Sequence, residues 1–323
     1  MRTPPLLALF LFALSLPVTR TVAAEPAVKV TTGQDYNGWK DAIVLRNSVV
    51  EAVIVPSVGR VMQFRFVGET DGPFWANEKL VGKAMPPNPW ATIPGSFGGD
   101  KTWPAPQSLW NWPPPDVFDT AALTARVNAD QSVTLESPVS PRFGIRTVRR
   151  VSLDPKTSVM QIETTYEKIS GDPLGVSIWV ISQLRDPAGI FVPLPVTSKF
   201  PDGLAPQRGS TAFVGRENGW LRLTRDARVQ RKIASDASTL VWAGETQLLR
   251  IDLPRIAEAT YPETGYSVVV YTNPDPVPYV ELETFGPMKT LNPGDKMSAT
   301  NTYRLAHRTK APLETDVKAL LAP

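Results

Sequence analysis

Two carboxylates, Glu281 and Glu283, stand two residues apart in YVELETFGP (Tyr279 to Pro287). In a regular strand, residues i and i+2 project from the same face. Carboxylates held that way raise each other's pKa, which suits a general base working near neutral pH. The competing reading is the solvated outer face of an edge strand, with Val280 and Leu282 turned to the core. A second reactive stretch lies far earlier in the chain, in FGGDKTWPAPQ (Phe97 to Gln107). Gly98 and Gly99 let the backbone turn tightly or approach a ligand closely. Asp100 and Lys101 place both charges beside Trp103, and Trp90, Trp110 and Trp112 crowd the same segment. Sugar rings stack on indole faces while polar groups fix their hydroxyls. The stretch therefore reads as a ligand wall, with Asp100, Trp103 and Gln107 against the ligand. The bland alternative is a Trp/Pro plug over one end of a sandwich. Its prolines argue against a regular helix or a central strand.

Other polar and aromatic groups join these two stretches. Arg60 and Arg65 are planar fork donors suited to sugar hydroxyls or a uronate carboxylate. Pairing with a strand acid such as Glu51 is the alternative. Trp179, in the apolar run GVSIWVISQL, is either core or the floor of a site, and Gln183 ends the same run. His307, the single histidine, falls beyond the last expected strand and reads as a solvated tail residue. The chain has no phosphate-cradling Gly loop, no G-x-S-x-G elbow, no dinucleotide fingerprint and no metal-ligand spacing. Nucleotide, serine-hydrolase and zinc chemistries fall away, and no cofactor or metal is implied.

The elements that must position these groups are strands. The composition, 33 Pro and 21 Gly, breaks the chain into many short Val-, Ile-, Thr- and aromatic-rich runs. About eighteen strands are expected at regular spacing. They include Val61 to Val67, Phe143 to Leu153, Ser158 to Lys168, Gly175 to Leu184, Tyr279 to Phe285 and Lys296 to Leu305. Asp186 to Gly209 reads as mostly loop. The fold class is all-β, a large sandwich of mainly antiparallel strands with few helices. One domain is expected over residues 25–310. A tail over 311–323 carries a short helix near Leu313 to Leu321, with Thr315 placed to cap it.

Residues 1–24 have the pattern of a secretory signal. Arg2 precedes an apolar core, Leu6 to Leu16, that is too short to span a bilayer. Val22-Ala23-Ala24 supplies small residues for cleavage after Ala24. The expected location is the periplasm or the extracellular space. The whole chain carries +3, and Arg2 and Arg20 leave with the leader. The remainder is close to neutral, so neither nucleic acid nor a membrane surface is an expected partner. There is no Cys, and an exported domain of this size buries enough core to need no disulfide. The expected partner is a small-molecule or oligosaccharide ligand.

The order of these pieces resembles the galactose-mutarotase-like superfamily. VEAVIVPSVGRVMQFRF is similar to that family's opening strand, Pro/Gly turn and returning strand. The pair Gly98-Gly99 resembles the Gly-Gly beside its site. Glu283 in ELET resembles its late Leu-Glu motif, and TLNPGDK followed by a strand ending in YRL resembles its closing hairpin. GGDKTWPAPQ with ELETFGP is similar to an uncharacterised family of secreted bacterial proteins within the superfamily. The resemblance spans about Val49 to Leu305 and implies a β-supersandwich with aldose 1-epimerase-like chemistry. It implies Glu283 as catalytic base; Lys101 and Gln183 are the groups this chain is expected to place near the ring oxygen, with Lys101 or Asp100 as a substitute acid. Arg60, Trp179 and Glu281 are then added to Asp100, Trp103 and Gln107 as substrate-binding candidates. The family's acid is a His on a central strand, where this chain has Ser182-Gln183. Gln donates a hydrogen bond but cannot transfer a proton. A non-catalytic carbohydrate-binding protein of the same fold, and a polysaccharide lyase or hydrolase using Glu281 and Glu283, are the alternatives.

Overall fold

The structure, a computed structural model, describes residues 27–84, 97–206 and 211–322. The leader pattern and Trp90 lie outside the described residues. In chain order the strands are β1 (Lys29–Tyr36), β2 (Trp39–Arg46), β3 (Val50–Val55), β4 (Arg60–Phe66), β5 (Gly99–Ala105), β6 (Thr124–Val127) and β7 (Val133–Glu136). They continue with β8 (Ile145–Leu153), β9 (Val159–Lys168), β10 (Leu174–Leu184), β11 (Gly189–Pro193), β12 (Gly215–Glu217), β13 (Trp220–Leu223) and β14 (Arg231–Ser235). The last are β15 (Thr239–Ala243), β16 (Gln247–Asp252), β17 (Val268–Thr272), β18 (Val280–Phe285), β19 (Lys289–Leu291) and β20 (Lys296–His307). Two short α-helices, α1 (Asp116–Asp119) and α2 (Leu313–Leu321), and three single-turn 3-10 helices complete the described elements.

The strands form two ten-stranded antiparallel sheets. The first runs β1-β2-β3-β4-β5-β10-β18-β17-β14, with β19 added to β10. The second runs β12-β13-β11-β15-β16-β20-β9-β8-β7-β6. The expected all-β supersandwich is what forms. Alternation explains the two-sided strands: in β8 every second residue, Ile145, Thr147, Arg149, Val151 and Leu153, is buried, as a period of two requires. β3 and β10 are covered on both faces and read as nearly continuous apolar runs. The main core lies between the sheets, where Phe64, Phe74, Ile162, Leu249, Leu282 and Tyr303 meet with almost no exposure.

Three expectations change. The segment expected to avoid a central strand contains one: β5 lies between β4 and β10, and Pro104 pairs with Ile178. The ladder from β5 to β4 is a single pair, Val61 with Asp100. The far edge of β5 is therefore unpaired at Pro104, where a missing N–H costs no ladder bond. β11 is a buried strand inside the stretch read as loop, because GIFVP is apolar enough to be covered although Gly and Pro flank it. Helix α2 starts after Pro312 with no side-chain cap, and Thr315 lies inside its first turn. Its Val317 and Leu320 pack on Phe191, Val241 and Leu248.

Candidate functional site

Strand register brings the distant stretches together. On the face of the first sheet that turns away from the second, three rows of side chains run across the strands. Trp103, Trp179 and Phe285 form one row. Lys101, Ile181, Glu283 and Val269 form the next. Gly99, Gln183, Glu281, Tyr271 and Lys232 form the third. Adjacent strands lie about 4.8 Å apart, so the backbones of Lys101 and Glu283 are about 10 Å apart across Ile181. Glu281 and Glu283 share a face as their spacing predicts. β18 is an interior strand between β10 and β17, not an edge.

Each charged group is held by a neighbour. The Trp179 indole Nε1 donates to Glu283 Oε2 at 2.8 Å. Glu283 is 1% exposed, and Glu281 is half-buried. Burial pushes the Glu283 carboxyl up to about 7; the Glu281 charge adds to this, while Lys232 and the indole bond oppose it. Glu281 is raised as well, by burial. Gln183 Nε2 donates to Glu281 Oε1 at 2.8 Å. Its own Oε1 is buried with no partner among the described residues.

On the other flank the chain leaves the Trp/Pro segment through α1, and Asp119 becomes the hub. Its Oδ1 accepts from Lys101 Nζ at 2.9 Å, from Trp103 Nε1 at 2.8 Å and from Arg60 Nη2 at 3.2 Å. Burial alone would raise the Asp119 pKa, but Lys101 and Arg60 hold it below the usual range. Burial lowers the Lys101 pKa against the pull of Asp119. Lys101 Nζ also lies 4.0 Å from the Trp103 ring centre, a cation–π contact.

Glu281, Glu283, Gln183, Lys101, Trp179 and Trp103 project from one face of the sheet. Arg60 lies beside Lys101 on that side of the sheet, fully buried, and donates to the carbonyls of Gly98 at 2.9 Å and Asp119 at 2.8 Å. It braces the backbone around the Gly pair. Asp100 is the correction. It was read as a ligand contact, yet one residue of alternation turns it into the space between the sheets. There it pairs with Arg149 and accepts from the hydroxyls of Ser182 and Tyr303, each at 2.6 Å. The same alternation turns Ser182 inward and Gln183 to the site. Arg65 pairs with Glu51, its Nε 2.7 Å from Oε1. His307 is exposed as expected but is the last residue of β20 rather than beyond it, stacked on Phe66 with ring centres 3.7 Å apart and 2.8 Å from Glu69 Oε1.

Two hollows open beside the rows. One, of about 540 Å³, is lined by Gln107, Trp112, Trp179, Lys232, Tyr266 and Phe285 among others. Gln107 is therefore part of a wall, its Nε2 anchored on the Asn111 carbonyl at 3.2 Å. Trp103 does not line this hollow. It sits behind it, edge-on to Trp179 at 5.2 Å and to Trp110 at 5.4 Å. The more exposed Trp112, at 56%, takes the place expected for it. The other hollow, of about 730 Å³, lies at the far end of β10 between Trp75, Gln63, Arg65 and Arg185. Sequence reasoning missed Asp119 and Lys232. Neither stands in a motif, and only register and the turn through α1 bring them to the face. Among the described residues no group of acids and His is placed to hold a metal ion.

Two antiparallel sheets with a carboxylate pair on the outer face of one make a fold shared with galactose mutarotase-like proteins. The chain belongs to the family described as "Domain of unknown function (DUF4380)", which it matches over residues 41–306. Three solved structures share the fold. A galactose mutarotase-like protein from Lactobacillus casei ATCC 334 is 12% identical, with a TM-score of 0.54 over 82% of this chain and 100% of that one. A galactose mutarotase-like protein from Clostridium acetobutylicum is 10% identical, with a TM-score of 0.55 over 87% and 98%. A galactose mutarotase related enzyme from Lactobacillus acidophilus is 10% identical, with a TM-score of 0.50 over 83% and 97%. At these identities the likeness concerns the fold alone. No curated protein matches the chain.

Proposed function

We propose that this protein is an exported, carbohydrate-active protein that exchanges the anomers of an aldose, with Glu283 as general base. The observation that carries the reading is the position of Glu283. It is a buried carboxylate with its pKa pushed up to about 7, held by an indole that lines an aromatic hollow. It faces Lys101 across a single intervening strand. A base poised near the working pH is what proton abstraction from a hydroxyl needs.

The step balances with the residues present. Glu283 takes the proton from the anomeric hydroxyl, the C1–O1 bond becomes a carbonyl, and the C1–ring-oxygen bond breaks. Lys101, as the ammonium, gives a proton to the ring oxygen. Rotation about C1–C2 and reversal of both transfers close the other anomer. Arg60, Asp119 and Trp103 act as positioning residues that hold Lys101. Gln183, whose Nε2 donates to Glu281 Oε1, acts as a positioning residue for that carboxylate. Trp179, Trp112 and Gln107 form the wall, and the leader over residues 1–24 directs the chain to the periplasm or beyond.

Optical rotation or NMR of freshly dissolved aldoses tests this reading. The protein should speed anomer exchange, and Glu283→Gln should abolish the acceleration while keeping the fold. Equal acceleration by both removes Glu283 from the mechanism. A second reading, a non-catalytic sugar-binding protein, is favoured by the tight pairing of Lys101 with Asp119. It predicts a rise in Tm with sugar and no exchange.

A further inference from the structure

The two hollows lie on the same face of the same sheet, one beside the middle of β10 and the other just past its C-terminal end. Trp179 lines one and Arg185 the other. Six residues of strand separate them, about 20 Å, with Glu283, Gln183 and Glu281 in between. A single sugar ring does not fill that length. Trp75 sits at the inner edge of the larger hollow. Its backbone N–H donates to the Gln183 carbonyl at 3.0 Å, and its ring rests on Tyr279 with centres 4.8 Å apart. The indole is only partly covered and forms part of the wall. The arginines lining this hollow are already paired, Arg65 with Glu51 and Arg185 with Asp71, and its other charges, Asp71, Asp186 and Glu78, are acids. Such a wall offers hydrogen bonds and an aromatic face without a spare cation for an acidic sugar.

We propose that the substrate is the reducing end of a neutral oligosaccharide, whose following rings occupy the hollow between Trp75 and Arg185. This rests on the anomer-exchange reading above. With O1 of the reducing ring at Glu283 and Trp179, the opposite side of that ring points along β10 past Gln183. The 730 Å³ hollow receives whatever is linked there.

The test compares glucose, galactose and mannose with maltotetraose, cellotetraose, galactotetraose and mannotetraose, reading apparent affinity by thermal shift and anomer exchange by NMR. At least one tetrasaccharide should bind about tenfold or more tighter than its monosaccharide, a margin of about 1.4 kcal/mol. In Trp75→Ala the tetrasaccharide-to-monosaccharide ratio should fall towards one, and in Trp75→Phe, which keeps a flat ring, most of it should remain. Tm without sugar identifies a variant that fails to fold, and the phenylalanine variant then decides. Equal affinity for monomer and tetramer, with exchange intact, overturns this proposal and leaves the anomer-exchange reading standing. A ratio unchanged in both variants also overturns it. No binding and no exchange with any of these sugars ends both.

Discussion

At the scale of single residues, the protein keeps charges where water cannot solvate them. Glu283 and Glu281 are raised, Lys101 is lowered, and the cause in each case is burial. The sign of the consequence follows for Glu283. Its folded pKa lies near 7, above the ordinary 4.5. Between those values the folded state holds a proton that the unfolded chain has lost, so this group's contribution to stability falls as pH rises from about 4.5 to 7. Glu283→Gln keeps an oxygen for the Trp179 N–H and cannot ionise. Relative to wild type it should gain on the order of 2 kcal/mol at pH 8 and little at pH 5, read from urea unfolding at the two pH values. Such a gain beside lost activity is the usual trade at a functional site. Asp119 shows the opposite case. Asp119→Asn leaves Lys101 and Arg60 buried without their counter-charge and should cost about 3–5 kcal/mol. Lys101→Met leaves Arg60 to pair with Asp119 and should cost less. A reversed order in denaturant midpoints would remove Asp119 as the hub.

At the scale of elements, the informative piece is β5 with the turn that feeds it. Gly98 has φ +98°, and a Cβ there would lie 2.0 Å from the Trp75 carbonyl oxygen. Only glycine lets the two segments touch, and this contact seats Trp75 against β10. Gly98→Ala should destabilise the fold by more than about 1 kcal/mol and weaken sugar binding, because Trp75 must move. Gly294→Ala is the control, with φ +95° in a turn and nothing within 4 Å of the added carbon. It carries the backbone strain alone and should cost less. Equal losses in urea unfolding would show that the close approach does not matter. The tryptophans of this region were legible as a cluster, but which of them face a ligand was not. Trp103 and Trp112 have the same side chain in the same segment. One fills the space behind the wall and the other forms the wall, because β5 ends at Ala105 and the chain then loops over it.

At the scale of the whole molecule, the two sheets are joined by polar contacts as well as by the apolar core. Arg149 and Tyr303 of the second sheet meet Asp100 and Ser182 of the first in a fully buried node. Asn301 Nδ2 donates to Thr284 Oγ1 across the same space at 2.7 Å. Tyr303→Phe removes one bond to a charged acceptor and should cost about 1.5–3 kcal/mol. If the proposed anomer exchange occurs, it should be unchanged, because the node is on the reverse of the face that carries Glu283. A matched loss of exchange in a folded Tyr303→Phe protein would mean that the two faces are coupled.

The chain alone determined the class of fold and which carboxylates face the same way. Both follow from local rules: a period of two along strands, and Gly and Pro at the turns. Tertiary structure alone decided that Asp100 belongs to the core, that Asp119 and Lys232 belong to the site, and that β5 is an interior strand. Those outcomes depend on strand neighbours and on which side of a strand meets the other sheet. Such long-range pairings leave no periodic trace in the residues themselves.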